Sequence, residues 1–316
     1  MIRTIVLLVL GFGFLIKGAD LLVDGSSNIA KRFGISEIII GLTIVAFGTS
    51  APELVVNITS SLQGTTDLAI GNILGSNIAN ILLIVGIASI VRPLNIHHNT
   101  RLIEIPFMVL SIVAFWLLAS SPFEGENNYL LNRSYAAVLL LLFGAFLYYL
   151  FRTNNDPTKR EIKEATQTLR KSILYTLLGL AGLMIGGQWI VDGAVTIASH
   201  YGIPERIIGL TVVAIGTSLP ELVTSIVAGL KGKSDIAIGN IVGSNIFNVL
   251  FVLGISGLIT PIPFSHDSTI DLYVTVSASL LLLLVTHMGE KQYIKRHHGI
   301  LFTVCYLVYI LYLIIQ

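Results

Sequence analysis

The sequence predicts an all-α integral membrane protein of ten transmembrane helices, arranged as two inverted five-helix repeats. Three observations carry this. Hydrophobic residues make up 54% of the 316 and charged residues only 12%, against about 25% charged in soluble domains, and the mean hydropathy is +0.83. Several stretches approach or exceed the roughly 20 apolar residues that cross a bilayer. The chain also repeats itself: GLTIVAFGTSAPEL at 41–54 returns as GLTVVAIGTSLPEL at 209–222, and GNILGSNIAN at 71–80 returns as GNIVGSNIFN at 239–248. One offset of 168 aligns both without a gap, and 26 of 40 positions are identical from 41 to 80.

The first segment, 3–30, opens on Arg3 and the apolar run Thr4 to Ile16, which imitates a secretory leader. No small-residue cleavage site closes it, and from Gly18 onward it has a counterpart, with Asp24-Gly25 matching Asp192-Gly193, so it is read as a retained helix. The second, 36–63, holds the first motif. It is longer than the hydrocarbon is thick, so it must tilt or break. Segments 68–91, 102–120 and 134–152 complete a first repeat, 1–152. The linker 153–170 is the only substantial polar stretch, too short to hold a folded regulatory domain. The second repeat, 171–316, supplies 171–198, 204–231, 236–259, 269–289 and 298–315. Cys305, the single cysteine, excludes an intrachain disulfide and a cysteine metal site.

Five helices per repeat turn the second copy upside down. With the N-terminus outside, the inner loops collect Lys31, Arg32, Arg92, Arg101, Arg152, Lys159, Arg160, Lys163, Arg170, Lys171, Lys231, Lys233, Lys291, Lys295 and Arg296. The outer loops hold only Arg3, Arg133 and Arg206. That is the positive-inside bias. Equivalent loops differ accordingly: Gln63-Gly64-Thr65 becomes Lys231-Gly232-Lys233, and Lys31-Arg32 becomes Ser199-His200. Both termini are expected outside.

The repeated motif carries the chemistry. Pro52 and Pro220 interrupt hydrophobic segments, and each frees a carbonyl one turn back. Carbonyls freed in lipid need another partner, which a dehydrated cation can be. Glu53 and Glu221 follow directly. An ionised group mid-membrane costs at least about 2.5–3.5 kcal/mol and faces a cavity. Lys17 is the only basic residue placed mid-segment that could pair with them. Thr49 shares a helix face with Glu53, as Thr217 does with Glu221. Asn72, Ser76 and Asn80 form an i, i+4, i+8 stripe, repeated as Asn240, Ser244 and Asn248. Two carboxylates, freed carbonyls and side-chain oxygens suit Ca2+ better than Mg2+. Gly71, Gly75, Gly239 and Gly243 are expected at helix contacts, Asp24 and Asp192 at caps or interfaces, and His97, His98, His297 and His298 on solvated loops. The net charge of +1 says nothing about nucleic acid, but there is no basic stripe to bind it, so none is expected as a partner. HExxH, GxSxG and phosphate-loop patterns are missing, so no enzyme is expected and no cofactor.

GTSAPEL and GTSLPEL, each followed by GN-x-x-GSN-x-x-N, resemble the α-repeats of the Na+/Ca2+ exchanger family within the cation/Ca2+ antiporter superfamily, of prokaryotic type. The resemblance covers the ten-segment plan. It implies Glu53 and Glu221 as shared Ca2+ and Na+ ligands, joined at Ca2+ by the carbonyls of Thr49 and Thr217. It implies Ala46 and Ala214 carbonyls with Ser76 and Ser244 hydroxyls at flanking Na+ sites, and Asn80 and Asn248 lining the centre. Some members carry Asp where this chain has Asn248, so the site here has two acids. The implied protein exchanges Na+ for Ca2+ by alternating access, functions as a monomer, and sits in a prokaryotic plasma membrane. A Ca2+/H+ antiporter is the alternative, and a cation-selective channel a rival of another class.

Overall fold

The computed structural model describes residues 2–119, 130–154, 165–202, 214–263, 268–288 and 293–315. Helix α1 (Ile2–Phe33) ends at Gly34, whose φ of 63° is a left-handed turn that suits glycine. Next come α2 (Glu37–Thr49) and α3 (Ala51–Gln63), bent by 48° at their junction, then α4 (Thr66–Val91), α5 (Thr100–Ala119) and α6 (Arg133–Asn154). The second half runs α7 (Leu169–His200), α8 (Ala214–Thr217), α9 (Leu219–Leu230), α10 (Ser234–Ile259), α11 (Ser268–His287) and α12 (Arg296–Ile315). Among the described residues eight helices, from Ile2–Phe33 to Arg296–Ile315, are long and apolar enough to cross a membrane, and the bent pair α2–α3 makes a ninth. Of the span expected over 204–231, residues 204–213 lie outside the described residues. From 214 on it too is in two pieces.

The burial of each span orders the layers. The apolar windows of α4 and α10 are 78% and 94% buried within the protein, those of α6 and α12 only 22%. The two motif-bearing inner helices are therefore wrapped by helices whose apolar faces meet lipid. Both inner helices widen mid-span into π-helical stretches, Ala79–Ile84 and Phe247–Val252.

The repeat is visible in the backbone. Positive-φ glycines sit at Gly34 and Gly64 and again at Gly202 and Gly232. Strand β1 (Leu94–Asn95) pairs with β4 (Tyr293–Ile294), and β2 (Leu130–Leu131) pairs with β3 (Ile262–Pro263), so each short ladder joins the two halves. Helices α1 and α7 run antiparallel along a glycine seam. A Cβ on Gly11 would lie 3.0 Å from the Gly186 carbonyl oxygen, and one on Gly18 would lie 2.8 Å from that of Gly179. Shifting each residue by the repeat offset turns the first contact into the second. Close backbone approach through small residues is how helices gain contact where lipid is as apolar as leucine.

Candidate cation-binding centre

The break between α2 and α3 is local chemistry. Ser50 leaves the helix at φ −84°, ψ 8°, with Pro in the first turn of α3 and Glu53 in that same turn. Ser218, Pro220 and Glu221 repeat the arrangement at the start of α9. First-turn N–H groups have no intrahelical carbonyl, and the positive end of a helix favours an anion. Each carboxylate accordingly stands in the first turn of its half-helix. Both glutamates are 1% exposed.

The two halves reach across to each other. Ser50 Oγ donates to Glu221 Oε1 at 3.0 Å, from one repeat to the carboxylate of the other, and Ser218 lies against Glu53. Ser76 Oγ donates to Glu53 Oε1 at 3.3 Å. The hydroxyls of Thr49 and Ser244 lie against Glu221, and Thr49 Oγ1 also donates to Asn240 Oδ1 at 2.9 Å. The carboxylates are close enough to repel one another. Asn80 and Asn248 are buried one turn beyond Ser76 and Ser244, and Asn248 Nδ2 donates to Asn77 Oδ1 at 3.1 Å. The Ser218 and Ser244 hydroxyls have no hydrogen-bond partner among the described residues, and neither do four carboxylate and amide oxygens of the residues expected at the centre: Glu53 Oε2, Glu221 Oε2, Asn80 Oδ1 and Asn248 Oδ1.

Buried unpaired acceptors are expensive, and all four are oxygens, the donor type that hard cations take. The Lys17 ammonium bonds Asp20 at 2.6 Å on the helix surface and leaves the glutamates to another partner. The donor set therefore fits a cation held by two carboxylates. Among the described residues there is no cluster of three or more His, Cys, Asp or Glu that could hold a metal.

Other expected residues fall in several places. The Ala46 carbonyl receives the Ser50 N–H at 3.0 Å. Thr217 closes α8, and Ala214 opens it with its side chain outside the described residues. Asn72 and Asn240 tie helices together: Asn72 bonds Asn57 at 2.7 Å and Asn240 bonds Ser225 at 3.0 Å, and each reaches the main-chain carbonyl of its glutamate. Asn57 and Ser225, i+4 from Glu53 and Glu221, were legible from that spacing and passed over. So were Ser50 and Ser218, which stand inside the quoted motif. Gly239 and Gly243 do meet α2; the equivalent neighbours of Gly71 and Gly75, at 206–214, lie outside the described residues or have side chains outside them, so the contact expected of all four is seen for two. His97 is not simply solvated, because Nε2 lies 3.0 Å from Asp235. Asp24 sits at an interface, against Lys231.

Two broken helices aiming carboxylates at one another inside an apolar bundle define a membrane cation carrier. A family model for sodium/calcium exchanger protein matches residues 3–152 and 171–315. The sodium/calcium exchanger MaX1 of Methanosarcina acetivorans is 34% identical over 97% of this chain and 98% of its own. The inner membrane protein YrbG of Escherichia coli is 39% identical over 89% of each chain. A solved structure of the sodium-calcium exchanger NCX_Mj superposes with a TM-score of 0.84, 31% identity and 99% coverage of both chains. The chain belongs to the sodium/calcium exchanger family of antiporters.

Proposed function

We propose that this protein exchanges Na+ for Ca2+ across a prokaryotic plasma membrane, with Glu53 and Glu221 as the shared ligands. The observation that carries the reading is the pair of buried carboxylates, each with an unpartnered oxygen and, among the described residues, no basic partner. Two bare carboxylates cannot cross the bilayer interior cheaply. One Ca2+ cancels their charge, and so do two Na+, while a third Na+ leaves one positive charge. Loaded forms switch sides and the empty form does not, which makes the carrier an exchanger rather than a uniporter. Carbonyls of Thr49 and Thr217 join the Ca2+. Carbonyls of Ala46 and Ala214 with the hydroxyls of Ser76 and Ser244 hold flanking Na+, and Asn80 and Asn248 line the centre. Ten spans as two inverted repeats, working as a monomer with both termini outside, complete the proposal, and alternating access follows from one bundle moving against the other around the site.

Two protons would neutralise the same two glutamates, so a Ca2+/H+ antiporter is the competing reading. Proteoliposomes loaded with Na+ at fixed pH distinguish them. Ca2+ uptake should require the outward Na+ gradient, and Glu53→Gln or Glu221→Gln should abolish it while the melting temperature is retained. Uptake driven by a proton gradient without Na+ would establish the competitor, and uptake with no counter-ion gradient would mean a channel.

A further inference from the structure

Lys231 flanks the C-terminus of α9, the half-helix that begins at Glu221. Its Nζ lies 2.5 Å from Asp20 Oδ1 and 2.7 Å from Asp24 Oδ1, and donates to the Asp20 main-chain carbonyl at 3.2 Å. Asp20 and Asp24 stand one turn apart on α1. Two residues further, Lys233 pairs with Glu37 of α2 at 2.8 Å and bonds Ser27 of α1, which itself donates to Glu37. The Lys231 side chain is 25% exposed, so these ion pairs are partly withdrawn from water.

The two-fold relation that holds for the glycine seam, the ladders and the left-handed glycines fails at this cluster. The counterparts of Lys231 and Lys233 are Gln63 and Thr65, and those of Asp20, Asp24 and Ser27 are Gln188, Asp192 and Val195. On that opposite face Gln188 donates to Asp192 at 2.8 Å within α7 itself. The positive-inside bias accounts for lysines at 231 and 233 but not for an acid at 20 where the counterpart is glutamine. A clamp needed only to hold helices together would serve both faces alike. The two faces differ in one respect that matters to a carrier, which is the side on which it is shut.

We propose that Lys231, bridged to Asp20 and Asp24, is an ionic latch that holds α1 against the far end of the Glu221 half-helix and keeps the centre closed on the face carrying the basic loops. The latch rests on the carrier reading for its purpose, not for its geometry. Helix α9 has 12 residues, about 18 Å at 1.5 Å each. It is a rigid arm with Glu221 at one end and Lys231 at the other, so a cation that repositions Glu221 also works on the latch.

The test reads accessibility rather than transport. In a Cys305→Ser background, Thr224→Cys places a thiol at a fully buried site one turn past Glu221. A charged, impermeant thiol reagent is applied to either face of proteoliposomes separately. Lys231→Gln, which installs the residue of the other repeat, should raise labelling from the basic-loop face about fivefold, the scale of a partly exposed ion pair. Asp20→Asn with Asp24→Asn should do the same, and all three together should add nothing further, because one interaction is lost once. Raising ionic strength should speed labelling of the parent and leave the variants unchanged. Equal rates in parent and variants, or effects that simply add, would overturn the latch. A variant that merely unfolds labels faster from both faces, which also counts against it. Na+-independent Ca2+ uptake by the parent would refute the exchange reading and leave the labelling result standing.

Discussion

Asn248→Asp tests how the centre counts charge. Asn248 is 1% exposed, gives Nδ2 to Asn77 Oδ1 at 3.1 Å, and keeps its own Oδ1 unpartnered. A carboxylate there would face an acceptor, but Asn77 Nδ2 is itself buried and unpartnered. A half-turn of the Asn77 amide converts the repulsion into a charge-assisted hydrogen bond. The substitution is therefore accommodated, and it gives the cation a third anionic oxygen. A hydrogen-bonded charged contact of this kind is worth about 1.5–3 kcal/mol, or about 10- to 100-fold tighter Ca2+. With Ca2+ bound, one negative charge stays uncancelled, so a proton or a further Na+ must accompany it and flux becomes more sensitive to pH. Titration calorimetry of Ca2+ and Na+-driven uptake across a pH series measure both effects. Adding Asn77→Ala removes the amide donor and should shrink the gain. Unchanged affinity together with superimposable normalised pH profiles would show that position 248 does not sense the ions, and the centre would reduce to the two glutamates with their serines.

Two further outcomes are expected. A Cβ on Gly243 would meet Ala46 Cβ at 2.7 Å and Leu42 backbone at 2.8 Å, so Gly243→Ala should cost about 1–3 kcal/mol of stability in thermal melts and weaken Ca2+ binding through the displaced α2. The hydrogen bond that the His97 ring donates to the Asp235 carboxylate raises the His97 pKa above its ordinary 6.5; the protonated ring is the stabilised form, so the pair's contribution is complete below that pH and fades as pH climbs through the raised value. Relative to Asp235→Asn, the parent should melt higher at pH 6 and lose that lead by pH 8. The gap should stay under about 1 kcal/mol because the His97 side chain is 57% exposed.

Much of this molecule is readable from its residues because membrane chemistry leaves few choices. Charged residues are rare enough that Glu53 and Glu221 stand out against an apolar field, and Pro before each announces where the helix parts. The ends of α1, α4 to α7 and α10 to α12 fall within a few residues of the hydropathy limits, since turn glycines and basic residues mark them. What escaped depends on contacts across the chain. Ser50 meets Glu221 over a separation of 171 residues, and Lys231 meets Asp20 over 211; neither follows from spacing on one helix. The π-helical stretches of α4 and α10 were equally hidden, because Ala79–Ile84 and Phe247–Val252 contain no residue that forces one extra member into a turn.

The glycine seam has a consequence for descent. Gly11 meets Gly186 while Gly18 meets Gly179, and under the repeat offset each member of one pair becomes a member of the other. Reciprocity of that kind is the signature of an isologous interface, the kind two copies of a single chain form about a two-fold axis. The covalent protein thus presents between its halves the kind of surface that two copies of one subunit, running antiparallel, would share as a homodimer. Such a subunit would have had to insert both ways, with no strong loop-charge bias of its own. Lysines at 231 and 233 opposite Gln63 and Thr65 are then the mark left once the fused halves no longer had to share one set of loops.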